Sequence, residues 1–235
     1  MKTKAEKNIV KTEKMVNVLN QIYKSVTNGA GTVVPPASEL AENYLRKNTS
    51  PILAAKEMQK NQIVKCTTSG FLTGFGGVVT LPITIPVNIG SVLFVQMRMI
   101  AATAYIGGYD IHDDQVQTLI YACLAGVSIN ELVKKFGVHF ANKMALKGVE
   151  KIPGKVLTKI NRFIGFRFIT KLGEKGLVNL GKIIPVVGAV VNGGLDLVET
   201  KIIAKRATKM FIENDFSNNI VDVDYEIVEE SEETI

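Results

Sequence analysis

The chain has 235 residues, 46% hydrophobic and 21% charged, with a net charge of +6. That length carries one large or two small domains with an ordinary core, and the composition excludes a chain disordered throughout. The charge is unevenly spread: residues 1–212 hold all 28 Lys and Arg against 13 acids, or +15, whereas residues 213–235 hold nine acids and no base.

A basic body favours polyanions, of which anionic lipid and nucleic acid are the usual ones. Trp is absent, which disfavours base stacking and ranks nucleic acid second. Cys66 and Cys123 sit in apolar contexts and read as small buried hydrophobes rather than a pair, as suits a reducing compartment. The opening MKTKAEKNIVKTEK has no apolar core of the signal-peptide kind, so a cytoplasmic location is expected.

Residues 3–27 read as an amphipathic helix, with Ile9, Val16, Leu19 and Tyr23 at helical spacing and Asn28-Gly29 as its stop. After the loop GAGTVVPPA, Ser38 is placed to cap a short helix through Arg46, with Glu39 and Glu42 near its start. Ser50-Pro51 marks the next start, the cap followed by proline at the first helical position. That helix is expected to run to about Thr68.

The stretch from Cys66 to Tyr109 holds one charge, Arg98. It opens on GFLTGFGG and LPITIP. The prolines bias their predecessors to extended geometry, so residues 71–85 are expected to be irregular or a broken helix. The glycine cluster lacks the GKS or GKT of a phosphate loop and suits close packing better. From Pro86 to Tyr105 an apolar helix of roughly 30 Å is expected at 1.5 Å per residue, stopped by Gly107-Gly108. Asp113 caps the following helix, and Ser128-Ile-Asn-Glu131 matches a capping box that opens a helix through about Gly148.

A lysine rhythm follows: Lys143, Lys147, Lys151, Lys155 and Lys159, continued by Arg162, Arg167, Lys171 and Lys175. Four-residue steps drift about 40° each on a 3.6-residue helix, so these cations form one inclined stripe, broken at Pro153-Gly154. A second apolar stretch spans residues 177–195 and leads into a helix of four to five turns. The tail alternates as IVDVDYEIV, suggesting an edge strand, then ends in EESEET, expected to be mobile.

The residues Gly70-Phe-Leu-Thr-Gly74-Phe-Gly76-Gly77, then Thr80-Leu-Pro82-Ile-Thr-Ile-Pro86, the helix ending Gly107-Gly108-Tyr109-Asp110, and Ile184-Pro185-Val-Val-Gly188 through Asp196, Thr200, Ile203 and Ala207 together resemble the EcsC family, named for a gene beside those of an ABC transporter. The resemblance covers roughly residues 50–212. It implies a helical, hydrophobic protein and brings no enzymatic activity with it. Many relatives carry an aspartate between the two prolines where this chain has Thr84. A metal or proton role resting on that carboxylate therefore has no basis here.

Arg98 shares a helix side with Ser91, Phe94, Val95, Ala101, Ala102 and Tyr105. An unpaired charge there is costly, so it must pair or reach solvent. Asn192, Asp196 and Glu199 stand on one face of the late helix, and Asp196 or Glu199 is the expected partner. Asp110, His112, Asp113 and Asp114 offer oxygen and imidazole ligands. Without distant ligands they read first as an acid-rich helix start. His139 lies within apolar residues and reads as packed.

The reading is an all-α bundle: residues 1–49 N-terminal amphipathic helices, 50–212 the central helical domain, 213–235 an acidic tail. The expected function is peripheral binding of anionic lipid, or of a membrane partner such as a transporter, through Lys143, Lys147, Lys151, Lys155, Lys159, Arg162, Arg167 and Lys171. No cofactor and no catalysis are expected. The alternative is a metal-dependent hydrolase or lipid-modifying enzyme using the carboxylates of 110–114. A mid-helix arginine costs about 3 kcal/mol on insertion scales, which weighs against a spanning segment.

Overall fold

A computed structural model describes residues 4–29, 34–67, 87–138, 152–178 and 193–215. The glycine cluster and LPITIP, Lys143, Lys147 and Lys151, His139, most of the second apolar stretch and the tail from residue 216 lie outside the described residues. All described elements are helical, as expected. They are α1 (Lys4–Asn28), α2 (Ala37–Leu45), α3 (Pro51–Thr67), α4 (Val87–Ile106), α5 (Asp114–Ala125), α6 (Ile129–Phe136), α7 (Gly154–Val178) and α8 (Gly193–Ala207), the last running into a π-helical turn (Thr208–Ile212).

The apolar helix α4 is the axis. Leu93, Val95, Met97, Ile100, Ala101 and Ala104 are all buried, and α1, α2, α3, α5, α8 and the π-turn pack around it. Protein therefore covers most of its length from Gly90 to Ile106. No single described helix is long and apolar enough to cross a membrane; α5 and α6 reach that test only as a pair bent by 118°. On one flank lie α2, α3 and α8. On the other lie α1, α5 and α7, with α7 outermost, against α1 and α5.

The N-terminal helices are not a separate layer. Met15, Val18, Leu19, Ile22 and Val26 of α1 bury themselves in the same core as α4 and α5, at the spacing of one helix face. Tyr23 donates to the Ile111 carbonyl at 2.6 Å, and Tyr121 donates to Asn20 at 3.0 Å. The two tyrosine rings meet edge to face at 5.6 Å. Helices on both sides of residue 49 share this core.

The helix ends follow local chemistry. Gly29 takes φ 81° after α1, a conformation that favours glycine. Asp113 caps α5 by accepting from the amides of Gln115 and Val116. Ser128 caps α6 by accepting from Glu131. Two expectations fail. Pro36, not Ser38, stands at the N-cap of α2, with no side-chain cap; the fixed proline ring sets the entry instead. The helix expected to reach Gly148 ends at Phe136, because Gly137 turns left-handed at φ 63° and its amide closes on Val133.

Candidate functional site

The outer helix α7 carries the described part of the lysine stripe. Leu157, Ile160, Ile164 and Phe168 turn inward and are buried. Gly165 lets α7 approach α1 closely: a Cβ there would stand 2.8 Å from Val16 Cγ2. The opposite side is left to Lys155, Lys159, Arg162 and Phe166, all exposed. Their spacing, i, i+4, i+7 and i+11, places them on one face. Phe166 is 44% exposed, so the face carries one large apolar ring beside its charges.

The cations on this surface are not equivalent. Arg162 pairs with Glu13 of α1 at 3.2 Å. Arg167 pairs with Glu131 of α6 and lies over the Phe163 ring, with Lys135 on that ring at 3.8 Å. These contacts tie α7 to its neighbours and spend two charges of the stripe inside the molecule. Lys155 and Lys159 have no carboxylate within salt-bridge distance among the described residues. The structure thus brings Lys155, Lys159 and Arg162 together; Lys143, Lys147 and Lys151 fall outside the described residues, and for Lys171 only the backbone is described. Lys134 and Lys135 of α6 add basic charge beside an open recess that Ser128, Asn130 and Glu131 also line.

Arg98 is 6% exposed, yet it does not meet the late helix. Its Nη2 donates to the Pro35 carbonyl at 2.9 Å. Burial lowers its pKa, and Glu39 and Tyr44 of α2 push it back up. α8 instead meets the far side of α4, where Gln96 donates to Thr200 at 3.0 Å. Gln96 and Arg98 lie about 200° apart on a 3.6-residue helix. The expected pairing of Arg98 with Glu199 is therefore replaced by a contact to the α1–α2 loop. For Asp196 only the backbone is described.

Sequence reasoning missed the polar seam on that far side. Gln59 of α3 donates to both Thr103 and Thr208 at 3.0 Å. The Thr103 hydroxyl donates to the Met99 carbonyl at 2.8 Å. Gln96 and Thr103 are seven residues apart on one helix, so the period was there to be read. The buried ring of Phe94 and the exposed one of Phe166 could be separated only by knowing which helix is outermost.

The acidic corner serves the backbone. Asp110 accepts from the His112 amide at 2.9 Å, Asp113 caps α5, and Asp114 lies in the first turn, where the helix dipole favours a carboxylate. No group of three His, Cys, Asp or Glu side chains gathers as a metal would need, among the described residues. Cys123 is free and buried, and burial pushes its thiol up to about 12. That disfavours the thiolate a nucleophile requires.

Against known proteins, the model of the EcsC protein family matches residues 5–212. The match begins inside α1 and ends with the π-turn, so both N-terminal helices fall within it. No curated protein and no solved structure matches.

Proposed function

We propose a function for a chain that belongs to the EcsC protein family: it docks peripherally on the anionic face of a membrane through the outer side of α7, and it does so without catalysis. The observation that carries this reading is the face itself, Lys155 and Lys159 in line with the exposed ring of Phe166, beside Arg162, whose charge is shared with Glu13. Basic residues near an anionic surface contribute about 1 kcal/mol each. An apolar ring inserted at the headgroup boundary adds its burial energy to theirs. The helix that the face belongs to is fixed by packing on α1 and α5, so its backbone needs no ordering on docking. A cytoplasmic location at the inner membrane face goes with this reading, since that leaflet carries the anionic lipid.

Flotation with vesicles tests it. The full chain is expected to float with phosphatidylglycerol-containing vesicles, not with phosphatidylcholine alone, and to be released by high salt. The double substitution Lys155→Glu, Lys159→Glu removes two favourable charges and adds two unfavourable ones. Affinity should fall by more than about tenfold, given about 1 kcal/mol per charge. Phe166→Ser should weaken binding while leaving its salt dependence unchanged. Equal binding to neutral and anionic vesicles sinks the reading.

A further inference from the structure

The helices around α4 close into a ring. α1 meets α2, α2 meets α3, α3 meets α8 and α8 meets α5, while α7 spans α5 and α1. α3 therefore stands three steps from α7 in either direction, across α4 from it. At the 8–10 Å spacing of packed helices, the two lie roughly 20–30 Å apart. The outer side of α3 points away from the outer side of α7.

The two outer sides share a character. Ala54, Ala55 and Met58 of α3 turn inward and are buried. Leu53, Lys56 and Lys60 stand at i, i+3 and i+7 on the opposite side, and all three are exposed, Leu53 at 48%. Ile52, four residues before Lys56, is exposed beside them. The neighbouring helix α8 repeats the spacing with Val198, Lys201 and Lys205, again all exposed. None of these four lysines has a carboxylate within salt-bridge distance among the described residues. Glu57, the single acid of α3, stands at the edge of the face and accepts from Asn48 at 2.7 Å.

We propose that the outer face of α3 and α8 is a second docking surface for anionic lipid, and that the protein joins two anionic bilayers across its own width. The first contact is the α7 face, so the bridge rests on the reading of that face as a membrane surface. Aliphatic side chains set among lysines suit an anionic headgroup layer, which offers counter-charge to the cations and hydrocarbon to the side chains between them. The α3 face has no exposed aromatic ring to match Phe166, so it is the weaker of the two. The faces are separated by more than the Debye length of roughly 8 Å at physiological salt, so each meets its bilayer independently.

Turbidity and light scattering of phosphatidylglycerol vesicles mixed with the full chain test it, with flotation run in parallel. The parent chain is expected to float and to cluster the vesicles, and high salt to disperse the clusters. Lys56→Glu, Lys60→Glu reverses two exposed charges away from α7. It should weaken clustering by more than about tenfold, the scale of two reversed charges at an anionic surface, while flotation through α7 is kept. Lys56→Arg, Lys60→Arg preserves the charge and should cluster vesicles as the parent does. Flotation without clustering by the parent overturns the bridge and leaves the α7 reading standing; no flotation at all overturns both. Clustering undiminished in Lys56→Glu, Lys60→Glu comes from self-association of docked chains and also overturns it. Sedimentation without vesicles covers the remaining occupant: a dimeric parent beside a monomeric Lys56→Glu, Lys60→Glu variant assigns the face to a second copy of the chain and overturns the proposal.

Discussion

Gly107 has no room for a side chain. A Cβ there would stand 2.1 Å from the Phe211 carbonyl oxygen and 2.9 Å from its carbon. Both are backbone atoms of the π-turn, which cannot swing aside as a side-chain tip can. The corner is pinned on both sides of that contact. Tyr109 stacks edge to face on Phe211 at 5.3 Å and donates to Asn214 at 2.7 Å. Gly107→Ala must therefore push α4 away from the π-turn, and overpacking of this kind costs about 1–3 kcal/mol. Gly154 is the control. It opens α7, and a Cβ added there would meet nothing within 4 Å, so alanine should change stability by less than about 0.5 kcal/mol. Urea melts of the two variants decide it; equal midpoints would show that the π-turn yields freely.

At the scale of elements, uncharged polar groups join α3, α4 and the π-turn that follows α8. Gln59 bridges Thr103 and Thr208, and Thr208 donates back to its Oε1 at 3.2 Å. Gln59→Leu leaves a buried hydroxyl on Thr208 without its partner. Such a loss costs about 1–3 kcal/mol, whereas replacing all the partners by apolar groups is often nearly neutral. The triple substitution Gln59→Leu, Thr103→Val, Thr208→Val should accordingly recover most of the stability lost by the single one. If chemical denaturation shows the triple variant worse than the sum of its parts, the seam does more than satisfy itself. How far these elements could be read from sequence depends on range. Ser50, Asp113 and Ser128 act on amides two or three residues away, so their roles were legible. The side on which Arg98 finds its acceptor was not, because the acceptor is a loop carbonyl, Pro35, that no residue type announces. Asp196 and Glu199 were attractive partners on charge alone, but α8 turns out to face Gln96. The lysine stripe was legible as a pattern; that Arg162 and Arg167 are committed to Glu13 and Glu131 depends on which helices neighbour α7, a tertiary fact.

The whole molecule separates its charge along the chain: +15 over residues 1–212 and −9 over 213–235. If the basic face of α7 meets anionic lipid, the chain's own acids compete for it as counter-charge. Residues 217–235 carry seven of the nine acids. At physiological salt, charges interact over a Debye length of roughly 8 Å, so the competition is felt only if the tail comes to the face. Deleting residues 217–235 separates the two cases, since α1 to α8 and the π-turn all end before the cut. We expect the shortened chain to bind anionic vesicles more tightly in co-sedimentation. The gain should shrink as salt rises and vanish in the Lys155→Glu, Lys159→Glu background, where the face no longer attracts acid of either origin. Unchanged binding across the salt series would mean that the tail does not screen α7 and that its charge acts elsewhere.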